Sequence, residues 1–373
     1  MSDPRTAPSG VLELHPRGHG FLRNPAKNYL PTNNDPYVPG QLIDKFKLAE
    51  GVLLSGPVEA PRRGAIGPRL LSIQSIEGAD PAQFRRRNWD ELTPIDPARW
   101  IKLETGPEPL TTRVMDLFTP IGAGQRGLIV APPRTGKTVL LAHIAAAVAK
   151  IHPDMKLMVL LVDERPEEVT DLKRTVKGDV IASSSDNDTA NHIRVARLVL
   201  ERGKRLTEMG RDVFILLDSL TRLARAHNKV SGSGRTMSGG VDSKALEVPK
   251  RLFGTARAFE EGGTLTILGT ALIETGSRMD DVIFQEFKGT GNMELVLNRQ
   301  LADRRIYPAI DLGASGTRKE ERLIPAEDLE RITLLRRSLM SLKPIEAMEG
   351  LVKQLAKTEC NQDFLMNLSK FTK

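Results

Sequence analysis

Apolar residues follow two different rhythms along this chain. Over residues 10–78 they form short runs broken by turn residues: VLEL, GHGFLR, DPYV, GVLLSG and RLLSIQ. Strands spaced this closely predict a small β-barrel that closes on itself. From residue 111 onward the runs become continuous: GLIVA at 127–131, LMVLLV at 157–162, VFILL at 213–217 and LTILGTAL at 265–272. Continuous apolar runs fit strands covered on both faces. Helical stretches between them predict a mostly parallel α/β sheet with flanking helices. Helical spacing is clear over 194–206, 328–339 and 344–355, and Asn361 is placed to cap a last short helix. Residues 1–9 are polar and proline-containing and read as a loose N-terminus. Residues 79–110 are proline-rich without a clear period and read as a linker before a second domain over 111–373.

Composition narrows the class without choosing a function. With 40% hydrophobic and 27% charged residues in 373, the chain is an ordinary globular protein of two or three domains. The net charge of +7 leans mildly toward polyanions, and the excess falls mostly after residue 110. The single cysteine, Cys360, excludes an intrachain disulfide and fits a reducing compartment; it reads as incidental beside a C-terminal helix. The start, MSDPRTAPSG, has no apolar core of a signal peptide. The apolar run at 139–149, broken by His143, is too short to span a bilayer. The expectation is a cytoplasmic protein without a membrane partner.

Chemistry concentrates in APPRTGKT, residues 131–138. A strand precedes it and a helix follows, which is the setting in which backbone N–H groups and a helix N-terminus receive a phosphate. Gly136 lets the backbone approach, Lys137 reaches the β- and γ-phosphates of ATP, and the Thr138 hydroxyl suits Mg²⁺. Only the opening glycine of the G-x-x-x-x-G-K-[ST] pattern is missing, replaced by Ala131. Two further strands end in acids. Asp218 follows VFILL and suits a carboxylate that holds Mg²⁺ through water, whereas Asp163 or Glu164 suits a group that orients the attacking water.

Glycine and serine fill NKVSGSGRTMSGGVD at 228–242, and GSRMDD and FKGTGN are shorter versions. These loops carry Arg235, Arg278 and Lys288, a combination suited to gripping a phosphodiester backbone without reading bases. In the front segment, Phe21 and Tyr37 lie near Arg23, as in small barrels that stack single-stranded bases. Alternatively both aromatics are barrel core, and Arg318 in SGTRKEE, taken alone, reads as a solvated charge.

The ordered strings PIGAGQRGLIVAPPRTGKT, LMVLLVDERPEEVT, ILLDSLTRLARAHN, SGGVDSKAL, EEGGTLTILGTALIETGSRMDDVIFQEFKGTGN and SGTRKEE together resemble the Rho family of bacterial transcription termination factors. The resemblance implies an OB-like RNA-binding barrel followed by a RecA-like P-loop ATPase domain, in a homohexameric ring. Such a ring binds nascent single-stranded RNA, translocates along it with ATP, and acts on RNA polymerase and its elongation factors. It further implies ATP contacts at Gly122, Ala123, Gly124, Gln125, Arg126 and Gly127, at Arg134, Thr135, Gly136, Lys137, Thr138 and Val139, and at Arg165 and Tyr307. Catalytic roles fall on Lys137, Glu164, Asp218 and Arg318, the last as an arginine finger given to the neighbouring subunit. Thr138 and Asp218 would hold Mg²⁺, Asp218 through water. A primary, pyrimidine-preferring RNA site is implied at Gly18, His19, Gly20, Phe21, Leu22, Arg23, Asp35, Pro36 and Tyr37. A secondary site is implied at Thr236, Met237, Ser238, Gly239, Gly240 and Arg278, with Lys288.

The resemblance has departures. His19 stands where the family commonly has a second stacking aromatic, which makes the site sensitive to pH. Arg134 stands where a lysine is common, and only about nine residues precede the barrel where the family usually has a small helical domain. Rotary ATP synthase subunits share the core fold but lack a base-stacking front barrel and the glycine-rich loop. A non-catalytic RNA-binding ring would not need both Glu164 and Arg318.

Overall fold

In a computed structural model, residues 8–61, 67–232, 236 and 238–368 are described. The front domain contains β1 (Ser9–Leu14), β2 (Gly20–Arg23), β3 (Tyr37–Val38), α1 (Gly40–Phe46), β4 (Leu53–Ser55), β5 (Val58–Glu59), β6 (Arg69–Leu70) and β7 (Ser75–Ile76). These strands pair in the order β5-β6-β3-β2-β1-β4-β7. The sheet wraps round one core of Leu12, Leu22, Val38, Ile43, Leu54, Leu70 and Ile76, so side chains from its two ends meet. The helix α1, which drops Ile43 into this core, was not legible because seven residues show no helical period.

The stretch over 79–110 is a connection with structure of its own, not a free linker. Its β8 (Pro94–Ile95) and β9 (Trp100–Ile101) pair with strands of the second domain, and Trp89 packs edge-on against Phe259 at 4.8 Å. Two-residue strands owe their existence to partners far away in sequence, so no local pattern announces them.

The second domain continues with α2 (Leu110–Phe118), β10 (Ile121–Gly122), β11 (Arg126–Ala131), α3 (Lys137–Ile151), β12 (Lys156–Glu164), α4 (Pro166–Thr175), β13 (Asp179–Ser184) and α5 (Thr189–Glu208). Then come β14 (Asp212–Asp218), α6 (Leu220–Val230), α7 (Glu247–Phe253), β15 (Arg257–Phe259), β16 (Thr264–Leu272), α8 (Arg278–Phe287), β17 (Met293–Val296), α9 (Arg299–Asp303) and β18 (Gly316–Thr317). The chain closes with α10 (Ala326–Met340), α11 (Pro344–Leu355) and α12 (Asn361–Met366). The main sheet runs β13-β12-β14-β16-β11-β17-β18, parallel except at β18. Both faces are buried, and β12 shows why its run is continuous. Leu157, Val159 and Leu161 enter one core with α3, and Met158, Leu160 and Val162 enter the other with α5.

At the C-terminus the cap differs by one residue from the expectation. Cys360 is the N-cap of α12, its Sγ accepting from the Asp363 N–H at 3.4 Å, and Asn361 is the first helical residue. Asn361 instead pairs with the fully buried Arg113 of α2. Among the described residues no helix is long and apolar enough to cross a membrane.

Candidate nucleotide and RNA sites

The phosphate loop joins the end of β11 to the start of α3. Ala131 closes the strand, fully buried, and does not need the left-handed region. The loop takes positive φ later, at Arg134 (64°) and Gly136 (86°), and Gly136 directly precedes the helix. Thr135 fastens the turn by donating its hydroxyl to the Pro132 carbonyl at 2.8 Å. The backbone at 131–138 therefore needs glycine where it meets the helix, not where it leaves the strand.

Lys137 reaches across to two carboxylates at the carboxyl ends of neighbouring strands. Its Nζ lies 2.5 and 2.6 Å from the oxygens of Asp218 and 3.1 Å from Glu164 Oε1. Asp218 also accepts from the Thr270 hydroxyl of β16 at 2.6 Å. Burial alone would push the Lys137 ammonium down, but Asp218 and Glu164 outweigh it and hold its pKa above the ordinary value.

The choice between Asp163 and Glu164 is made by a bulge. The register of β12 on β13 shifts between Val162 and Glu164, and Asp163 takes φ 57°. The extra residue turns Asp163 outward, toward His192 Nε2 at 3.9 Å, and turns Glu164 inward, where it is 2% exposed. Arg222 of α6 secures the bulge, pairing with Glu164 Oε2 at 2.9 Å and donating to the Asp163 carbonyl. Sequence reasoning missed Arg222 and Thr270; both lie in strings quoted above, without a chemical signature of their own.

Beside the loop is a cavity of about 350 Å³, lined by Thr135, Gly136, Val139, Leu140, Tyr307 and Pro308 among others. Tyr307 and Val139 are 44% and 58% exposed, the flat apolar surface an adenine would cover. Thr111 and His143 share this wall, with Thr111 Oγ1 and His143 Nδ1 3.0 Å apart; burial lowers the His143 pKa. Thr138 lies in the first turn of α3, whereas Arg134 and Arg165 are exposed, Arg165 at the N-cap of α4.

Gly122, Ala123, Gly124, Gln125, Arg126 and Gly127 do not join this site within one chain. They precede or begin β11, whereas the phosphate loop follows its other end. Arg318 stands with them: Gly127 pairs with Met293 and Met293 with Thr317, and Gln125, Asn292 and Arg318 line one cleft. Within one chain these residues and the phosphate loop therefore lie at opposite ends of β11.

The primary RNA residues divide into a cleft and its foundation. His19, Phe21 and Tyr37 form a cluster with ring centroids 5.2–5.9 Å apart, opening on a cavity of about 530 Å³ that Arg17 and Arg69 also line. His15, which the sequence reading passed over, stacks on His19 at 4.4 Å and 17°. Burial, then His15 and Arg17, lower the His19 pKa. Leu22 and Pro36 are buried, Gly20 lies inside the β1–β2 ladder, and Gly18 is an exposed turn residue at φ 81°. Arg23 and Asp35 are buried and pair with each other at 2.6 Å; Arg23 also pairs with Glu13 at 2.5 Å and lies over the Phe21 ring at 4.8 Å. They hold the cleft from beneath and do not face into it.

Of the secondary RNA residues, Arg235 and Met237 lie outside the described residues. Thr236 bridges to Asp242, and Ser238, Gly239 and Gly240 form a short turn. Gly239, at φ 73°, packs so closely on α8 that a Cβ there would stand 2.8 Å from the Arg278 carbonyl. The turn and exposed Arg278 are thus neighbours, over an anchor made by Arg225 and buried Asp280. Lys288 is at the opposite end of α8 and shares a cleft with Arg318, away from the glycine turn.

A family model described as the Rho termination factor RNA-binding domain matches residues 8–82, and one described as the ATP synthase alpha/beta family nucleotide-binding domain matches residues 111–317. Transcription termination factor Rho of Bacillus subtilis is 52% identical over 358 residues, covering 95% of this chain and 83% of that protein. The Rho proteins of Aquifex aeolicus and Escherichia coli K12 are each 50% identical, covering 95% of this chain and 83% and 86% of their own lengths. Among solved structures, an ATPase of a bacterial type III secretion system superposes with a TM-score of 0.64 at 20% identity, over 84% of this chain and 94% of that one. An ATP synthase subunit of Nanoarchaeum equitans gives 0.60 at 19%, over 74% of each. These two likenesses concern the fold.

Proposed function

Since the chain belongs to the transcription termination factor Rho family, we propose that it works as an RNA-dependent ATPase that moves along nascent RNA and releases it from RNA polymerase. The observation that carries this is one chain holding two separate sites: a cleft of clustered aromatic rings in the front barrel and a Lys137–Glu164–Asp218 cluster behind a phosphate loop. The first suits single-stranded bases and the second a nucleoside triphosphate.

The adenine would lie against Tyr307 and Val139, and the phosphates over the N–H groups from Gly136 into α3. Lys137 would then exchange its carboxylate partners for phosphate oxygens, which frees one Glu164 oxygen to accept a proton from the attacking water. Arg222 keeps the other oxygen fixed, so the carboxylate that receives the proton cannot turn away. Thr138 and Asp218 fit Mg²⁺: a hydroxyl and a carboxylate beside the phosphate loop are the donors such an ion takes when the triphosphate supplies the rest. When bound, Mg²⁺ neutralises charge on the transferring phosphoryl group. Arg318 would complete the site of an adjacent subunit in a homohexameric ring. RNA leaving the barrel cleft would pass to Arg278 and the Gly239–Gly240 turn.

The test is hydrolysis of ATP with each homopolymer RNA, with single-stranded DNA as control. Faster turnover with pyrimidine RNA is expected; equal rates with and without RNA would refute the coupling.

A further inference from the structure

Glu13 lies between two guanidinium groups from different domains. Arg23 of the barrel donates to it from Nε at 2.5 Å, and Arg194 of α5 donates from Nη1 at 3.0 and 3.1 Å. Because Arg23 also lies over Phe21, this carboxylate ties the base cleft to the ATPase sheet. Arg194 continues inward: its Nη2 donates to the Tyr29 carbonyl at 2.8 Å and to Asn191 Oδ1 at 2.9 Å.

A guanidinium only donates, so Arg194 dictates which way the Asn191 amide faces. With Oδ1 turned to Arg194, Asn191 Nδ2 donates to Ser183 Oγ at 2.8 Å. Ser183, accepting there, has its hydroxyl proton free for His192 Nδ1 at 2.7 Å. With Nδ1 accepting, the proton of a neutral imidazole stays on Nε2, which lies 3.9 Å from an Asp163 carboxylate oxygen, an electrostatic contact longer than a hydrogen bond. Asp163 is the outward residue of the bulge that turns Glu164 inward.

We propose that Arg194 is a positioning residue for ATP hydrolysis: it sets the direction of a hydrogen-bond chain that presents the His192 N–H to Asp163 and so holds the bulge aiming Glu164 at the phosphate site. This rests on the role given to Glu164 above. Arg194 is itself placed by Glu13 and the Tyr29 carbonyl, both in the barrel domain. The docking of the barrel thereby enters the hydrolytic centre without any contact between RNA and ATP.

The test measures RNA-stimulated hydrolysis and oligo(C) affinity for wild type, Arg194→Met, His192→Leu and the double variant, each first shown to be folded. Arg194→Met is expected to lower kcat about tenfold, the lower end of the loss seen when the partner that orients a metal-binding side chain is removed. The KM for ATP and the Kd for oligo(C) should stay within about twofold, since Arg194 lines neither the barrel cleft nor the cavity beside Tyr307. The double variant should be no slower than His192→Leu, because both changes remove the same restraint. His192→Gln, which keeps an N–H donor near the Nε2 position, should recover most of the rate. Additive losses, an unchanged kcat in Arg194→Met, or weakened RNA binding as the only change would overturn the proposal. If Arg194→Met does not fold, Asn191→Leu breaks the chain one link later with the Arg194–Glu13 pair intact, and an unchanged kcat there overturns it equally. Wild type unresponsive to oligo(C) would remove the parent reading, and the inference with it; a responsive wild type with an unaffected Arg194→Met removes the inference alone.

Discussion

Single residues decide whether the phosphate loop works, and the least regular of them is the most instructive. Ala131 breaks the motif but ends a buried strand, where a side chain is welcome, while the left-handed conformation is taken by Arg134 and Gly136. The convergence of Lys137, Glu164 and Asp218 was legible because each follows a buried apolar run, and parallel strands end together at one edge of the sheet. The apolar pattern left Asp163 and Glu164 open and only the resemblance picked Glu164, since a bulge reverses the facing of side chains and leaves no mark in that pattern. Lys137→Ala should abolish hydrolysis while oligo(C) binding by filter retention stays at wild-type strength; loss of both would mean the barrel is not an independent site. At the cleft, the lowered His19 pKa changes the expected pH response. A protonated imidazole attracts phosphate, so oligo(U) affinity should be flat above about pH 7 and tighten only below the ordinary imidazole pKa of about 6.5. His19→Phe should tighten oligopyrimidine binding at neutral pH and weaken that acid-side gain. Unchanged affinity at neutral pH would show that this position does not stack bases.

Among elements, the long helices were legible and the short strands were not. The spacing over 344–355 marks α11 to the residue, whereas β8 and β9 exist because β15 and β10 lie alongside them. Between these cases is α2, whose nine residues are almost wholly buried, including two charged ones. Arg113 faces the C-terminal helices, donating to the carbonyls of Leu355 and Thr358 at 2.9 and 2.7 Å. Asp116 faces the connection from the barrel and accepts from the N–H groups of Leu103 and Glu104 at 2.8–3.0 Å. Burial pushes the Asp116 carboxyl from 3.8 up to about 7, against the opposing effect of those N–H groups. The folded state therefore binds this proton more tightly than the unfolded chain. Its contribution to stability is complete below the unfolded pKa and is lost as pH rises through about 7. Asp116→Asn, which cannot ionise, should show a smaller fall in thermal midpoint between about pH 5 and pH 8 than wild type does. An identical fall in both would show that Asp116 stays ionised throughout the folded state.

At the scale of the whole molecule, the position of Arg318 suits the ring proposed above. Thr317 is level with Gly127 across Met293, so Arg318 stands at the start of β11, roughly 16 Å along the strand from the phosphate loop that follows Ala131. It is also exposed, beyond the last strand of the sheet, with Lys319 beside it tied to Asp96 at 2.7 Å. One chain thus presents an arginine at one edge and an unfinished phosphate site away from it. In the ring proposed above, a head-to-tail contact would bring the two together. Nothing in the apolar pattern marked this. From sequence alone Arg318 is a charge on a flexible turn, and only resemblance gave it a role. Arg318→Ala should leave nucleotide binding intact and lower turnover by roughly 10³-fold or more, the usual effect of losing an arginine finger. Mixing Arg318→Ala with Lys137→Ala chains then separates the two geometries. If the finger acts across subunits, an intact Arg318 meets an intact Lys137 at some interfaces and activity returns, although each variant alone is inactive. If it acts within one chain, no mixed assembly contains a complete site, and hydrolysis stays absent however well the chains exchange.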